Sequence, residues 1–308
     1  MAPYWSMQIA FPCLTQVKAV LSCLLLAVAY VGSLYVWKRE LPRDHPKTIK
    51  QRTLSVFVVC AAAPLFLLLI SSEVPHSQGL SLCQHLGVRN PGLLAAITVP
   101  LVLTMVLFLG PLYMLYLDGS HDVPFVERGV FGSNIASQMV WLRNYLIAPF
   151  TEEFVFRACM LPLLVPCFGC PTAVIVCPLF FGVAHIHHII ERLRFGSEPL
   201  SAIILTAFFQ SCYTTVFGAY SAFLFVRTGH LAGPFICHSF CNYMGFPEIG
   251  HVFHHSPRHR AIITATFIFG LVTFLLLLYP LTTPSWYVNA MCDSRSEEFS
   301  TQEHTIEL

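Results

Sequence analysis

The chain has 308 residues, of which 56% are hydrophobic and only 11% charged, and its mean hydropathy is +0.67. A soluble domain carries about 25% charged residues, so this composition is that of a polytopic membrane protein. A net charge of +1 with no basic stripe speaks against nucleic acid as a partner.

A membrane-spanning helix needs about 20 predominantly apolar residues. Eight stretches qualify: 17–37, 54–71, 93–117, 145–165, 172–190, 200–226, 231–249 and 261–279. The fold expected is therefore all-α, with about eight transmembrane helices around an intramembrane cavity. The third, sixth and eighth stretches are the most continuous. The fourth, fifth and seventh are interrupted by Pro, Gly and polar side chains. One membrane domain is expected over 1–280, followed by a polar, flexible tail over 281–308.

The first apolar run has the look of a signal peptide, but its length and the basic segment after it argue for a retained span. That segment holds Lys38, Arg39, Arg43, Lys47, Lys50 and Arg52. Positive charge stays on the cytosolic side, which puts the amino terminus on the lumenal side. Threading forward places 118–144, 191–199 and 250–260 in the cytosol and the acidic stretch 293–308 in the lumen. The twelve cysteines lie mostly inside apolar runs, where free Cys behaves as a small hydrophobe. They do not read as a disulfide framework. Cys167 and Cys170 have CxxC spacing, and packing explains them better than a disulfide or a metal half-site.

Chemistry concentrates in the interrupted stretches. The fourth carries Thr151-Glu152-Glu153-Phe154-Val155-Phe156-Arg157. An ionisable residue at the centre of a bilayer costs roughly 2.5–3.5 kcal/mol even on the lenient insertion scale, so such residues are functional candidates. Glu153 and Arg157 are at i,i+4 and can pair on one helix face, while Glu152 is rotated by ~100°. Taken alone, the Glu153–Arg157 pair reads as structural support. On the fifth stretch Phe181 and His185 share the same spacing, and on the seventh so do His238 and Asn242. At ~1.5 Å per residue, Glu152, His185 and His238 lie ~12, ~9 and ~14 Å below the cytosolic edge. They are expected to meet in one cavity open to the cytosol. His187 and His188 fall near the surface, at its rim.

A carboxylate and an imidazole can together activate a water molecule, with the carboxylate taking its proton. A second His and an Asn amide suit the oxyanion of a tetrahedral intermediate. The combination points to amide hydrolysis without a covalent intermediate. Neither a G-x-S-x-G elbow nor H-E-x-x-H is present. A zinc site of His185, His238 and Glu152 stays open at this point, since His/His/Glu is a catalytic ligand set. A transporter or scaffold using the buried charges is the non-enzymatic alternative. No inverted repeat supports it.

The order Glu152-Glu153…Arg157, Phe181…His185 and His238…Asn242 resembles the pattern of the CAAX prenyl proteases of the Ras-converting type, the type II prenyl endopeptidases. Val31–Lys38, Trp141–Asn144, Val155–Pro162 and Cys237–Pro247 resemble the animal members over longer runs. The resemblance covers most of the chain from Tyr30 to Pro247. It implies a multi-pass endoplasmic-reticulum endopeptidase that cuts after the prenylated Cys of a C-terminal Cys-a-a-X sequence and releases the last three residues. It makes Glu152 the base, assisted by His185, and gives the oxyanion to His238 and Asn242. Glu153, Arg157 and Phe181 become supporting residues. It also implies no metal or other cofactor, and farnesylated or geranylgeranylated proteins within the bilayer as partners.

Overall fold

The computed structural model describes residues 8–13, 15–38, 41–75, 79–119, 134–247 and 249–289. The acidic stretch 293–308, and most of the flexible tail expected from 281 onward, lie outside them.

Helix α1 (Gln16–Ser33) shows how this sequence meets lipid and core at once. Ala19, Cys23, Leu26, Ala27 and Tyr30 are buried, while Val17, Leu21, Leu24, Leu25 and Val28 are exposed on the opposite side. Both sets recur at three- and four-residue intervals, and both are apolar. A helix apolar all round has no water-facing side and belongs in a bilayer. The same holds for α2 (Pro46–Ile70), α8 (Leu161–Ala184), α10 (Leu200–Thr228) and α12 (Pro257–Leu281). Between them lie α3 (Leu82–His85), α4 (Leu93–Leu107), α5 (Leu109–Leu117), α6 (Ile135–Leu142), α7 (Ala148–Glu153), α9 (His188–Phe195) and α11 (Ala232–Met244).

Among the described residues five helices are long and apolar enough to cross a membrane. A sixth span results if α4 and α5, bent by 68° at Phe108, are counted together. The expected eight is thus not confirmed, for identifiable reasons. Stretch 145–165 is a relay of π turns and α7 that runs straight into α8. Helix α8 itself breaks at Gly169, whose φ of 73° is cheap only for a residue without Cβ. Helix α11 has 13 residues, or ~20 Å of rise, against a hydrocarbon core of ~30 Å.

Packing centres on α8 and α10, with α1 on the other side of α8. Helices α11 and α12 both pack on α4, and α12 also on α5. Glycines permit these approaches. A Cβ on Gly182 would run into Thr215 Oγ1 of α10. On Gly233 it would lie 2.8 Å from the Ala96 carbonyl of α4. The stretch 155–165 is buried at every position, so the segment bearing Arg157 is the most enclosed part of the bundle.

One end is closed by a small antiparallel sheet, in the order β2 (Ser72–Glu73), β1 (Gln8–Ala10), β3 (Leu80–Ser81). His85 Nε2 bonds the Ile9 carbonyl there at 3.0 Å. A disulfide joins Cys13 to Cys167 at the same end. This corrects the packing role expected of Cys167, which stands on α8 two residues before the break at Gly169 and meets the segment that precedes α1. The opposite end carries the end of α1, the start of α2, Arg43 and the short turn His185–His187.

Candidate active site

Glu152 and Glu153 end α7 between two π turns, Arg143–Ile147 and Phe154–Cys159. A π turn widens a helix by one residue and rotates the side chains beyond it, and such turns concentrate at functional sites. Being ~100° apart on α7, the adjacent carboxylates face different surroundings. Glu152 lines a cavity of about 1010 Å³, whereas Glu153 is fully buried behind it.

Glu153 organises the enclosed side. One carboxylate oxygen accepts from His238 Nδ1 at 2.7 Å. The other accepts from Ser221 Oγ of α10 and lies 3.2 Å from Arg157 Nε. The Arg157 guanidinium is itself fully buried and lies 4.2 Å over the Phe181 ring, where the π face adds to the attraction from the carboxylate. A buried charge without a partner costs several kcal/mol, so Glu153 and Arg157 require one another.

His238 connects the two carboxylates. A carboxylate can only accept, so Nδ1 carries the proton shared with Glu153. That leaves Nε2 toward Glu152, 3.7 Å from its Oε2. His185 is oriented in the same manner at the end of α8: its Nδ1 donates to the Phe181 carbonyl at 2.8 Å, leaving Nε2 as the second ring nitrogen. Phe181 packs between the imidazoles, its centroid 4.4 Å from that of His185 and 6.1 Å from that of His238. Asn242, one turn beyond His238, also lines the cavity. Its amide donates one bond to the Asn144 carbonyl at 3.0 Å, and the amide has a second N–H.

Glu152, His185, His238 and Asn242 thus share one cavity, with Phe181 between the rings and Glu153 and Arg157 behind. His187 and His188 line its rim. Among the described residues the three-residue group with His, Cys, Asp or Glu ligand atoms mutually within 4.8 Å is Asp118, at the end of α5, with His251 and His255, just before α12.

Sequence pattern alone does not single out Ser221, which bonds Glu153. Nor does it single out Tyr30, whose hydroxyl lies 2.9 Å from Thr151 Oγ1 and ties α1 to α7. A single hydroxyl in an apolar helix gives no periodic signal. Arg43, Arg52, Arg143 and Asn144, which line the cavity mouth, are visible in the sequence only as charge for orienting the chain or as part of a resemblance.

Comparison with known proteins addresses what such a cavity is for. Residues 134–244 match the family model described as Type II CAAX prenyl endopeptidase Rce1-like, and that stretch contains all seven residues selected from the sequence. Human CAAX prenyl protease 2 is 54% identical over 273 residues, covering 87% of this chain and 82% of the human one. The chain belongs to the type II CAAX prenyl endopeptidase family. Rat CAAX prenyl protease 2 is 47% identical, covering 87% of this chain and 81% of its own, and the Arabidopsis thaliana CAAX prenyl protease 2 is 33% identical, covering 89% and 93%. No solved structure matches the chain.

Proposed function

We propose that this family member hydrolyses the peptide bond after the prenylated Cys of C-terminal Cys-a-a-X sequences, with water activated by Glu152. The observation that carries this is the shared cavity, in which a carboxylate and two imidazoles of fixed orientation face one space. The Glu152 carboxylate takes a proton from water held against His185 Nε2. The hydroxide adds to the carbonyl carbon of the prenyl-cysteine. The resulting oxyanion receives hydrogen bonds from the second N–H of Asn242 and from His238 Nε2, the ring then carrying a proton on both nitrogens between the two carboxylates. Its collapse breaks the C–N bond, and the proton on Glu152 passes to the leaving amine. The products are a prenyl-cysteine carboxylate and a free tripeptide. No metal takes part in these steps.

An apolar arm of the cavity, lined by Phe217, Tyr220, Phe223, Phe274 and Leu278 of α10 and α12, suits a farnesyl or geranylgeranyl chain arriving from the bilayer. The peptide enters at the basic end, beside Arg43, Arg52 and Arg143. Positive segments stay cytosolic and disulfides persist in the oxidising lumen. Both considerations favour an endoplasmic-reticulum orientation with the cavity open to the cytosol and Cys13–Cys167 on the lumenal side.

Glu152→Gln tests the reading on a farnesylated peptide. Loss of a general base lowers turnover about 10²–10⁴-fold, while detergent-solubilised protein keeps its elution profile. Near-normal turnover would remove Glu152 from this role. Activity abolished by a strong chelator and restored by zinc would replace the mechanism with a metal-dependent one.

A further inference from the structure

The cavity is electrically polar along its length. Among its described lining residues the carboxylate is Glu152, in the interior, and the guanidinium groups are Arg43, Arg52 and Arg143, at the mouth. Arg52 pairs with Glu191, outside the lining. Arg43 has a 3.5 Å contact with Asp44 and is half-exposed. Arg143 is mostly buried. Its Nη1 bonds the Arg43 carbonyl at 3.0 Å and Asp44 Oδ1 at 2.8 Å, and its Nε bonds Asn144 Oδ1 at 3.0 Å. These bonds fix the guanidinium plane and hold the Arg43 turn against it. Asn144 in turn accepts from Asn242 through its carbonyl, so a continuous hydrogen-bonded path runs from the interior to the rim. The three arginines face two acidic partners, leaving one positive charge in excess at the mouth.

The spacing fits a specific anion. Arg143 precedes Glu152 by nine residues, or ~13 Å of helical rise. Three extended residues beyond the scissile carbonyl reach ~10 Å at ~3.3 Å each, and an arginine side chain spans the difference. A terminal carboxylate is also the charge that every Cys-a-a-X substrate presents, whatever its side chains.

We propose that Arg43 and Arg143 form a carboxylate-binding subsite that holds the free C-terminus of the substrate and counts three residues to the cleaved bond. This rests on the endopeptidase reading above and adds the group that reads the chain end. Guanidinium and carboxylate make charge-assisted, bidentate hydrogen bonds, and at a partly buried mouth these are weakly screened. A C-terminal amide offers no charge, and one extra residue carries the carboxylate ~3.3 Å past the arginines.

The test compares two farnesylated peptides of identical sequence, one ending in a free carboxylate and one in a carboxamide, on wild type, Arg43→Gln and Arg43→Lys. In wild type the amide lowers kcat/KM by about 10- to 100-fold, the loss of one charge-assisted hydrogen bond, and most of the change is in KM. Arg43→Gln lowers cleavage of the acid by a similar factor and leaves the amide unaffected, while Arg43→Lys restores part of the preference. The amide arm needs no altered protein and is independent of folding. Equal cleavage of acid and amide by wild type would overturn the subsite alone. Cleavage of neither would overturn the endopeptidase function beneath it.

Discussion

Replacing Glu153 by Ala separates what holds the bundle together from what performs chemistry. The carboxylate is fully buried and takes a 2.7 Å bond from His238 and another from Ser221, beside the guanidinium at 3.2 Å. Its removal leaves Arg157 buried without its ion-pair partner, over the Phe181 face. Breaking a buried pair from one side costs about 3–5 kcal/mol, a large share of a stability of roughly 5–15 kcal/mol. Glu153→Ala is therefore expected to shorten sharply the survival of purified protein in a detergent heating series. Removing both charges is different, because no charge is then stranded, and an apolar replacement of a buried pair is often neutral. Glu153→Ala/Arg157→Met should recover much of the lost stability. It should not recover peptidase activity, because His238 still lacks the acceptor that fixes Nδ1–H and aims Nε2 at Glu152. The assays are residual folded protein against temperature and turnover of a farnesylated peptide at a temperature where both variants are folded. A double variant as active as wild type would refute the positioning of His238 by Glu153. A single variant as stable as wild type would refute the mutual dependence of the charges.

His238→Ala and Asn242→Ala should each reduce kcat about 10²–10³-fold, the usual loss of an oxyanion donor, with KM little changed; a defect confined to KM would count against that role. Gly218→Val should destabilise by about 1–3 kcal/mol through overpacking, since a Cβ there meets Pro178 Cβ at 2.8 Å and Arg157 Nη2 at 3.2 Å. Wild-type heat resistance would show that α8 and α10 can separate freely. Cys13 and Cys167 should resist a membrane-impermeant thiol reagent until reduced, and in sealed microsomes should remain unlabelled from the cytosolic side. Labelling of Cys13 without reduction would argue against the disulfide.

The site was more legible than the helix count because the two rest on different physics. Helical periodicity is local, so i,i+4 spacing alone brings Glu153 to Arg157 and Phe181 to His185. The cost of stranding charge in lipid then makes separate polar helices share one interior. That reasoning concerns side chains and survives errors about where a helix ends. Counting spans by apolar length treats each run as a straight helix, and here three are not. The run at 145–165 is interrupted by π turns, α8 turns at Gly169, and α11 stops at Met244 before Gly245. Each break releases backbone groups that lipid cannot satisfy, so each has to be enclosed by protein. This is consistent with the stretch 155–165 being buried throughout, although it is no more apolar than the lipid-facing helices around it. The residues missed belong to that enclosure: Ser221 and Tyr30 act across helices, at separations of 68 and 121 residues from their partners. No local pattern records such distances. The two adjacent glutamates need no such break, since the ~100° between neighbours on an α-helix already turns one to the cavity and the other to Arg157.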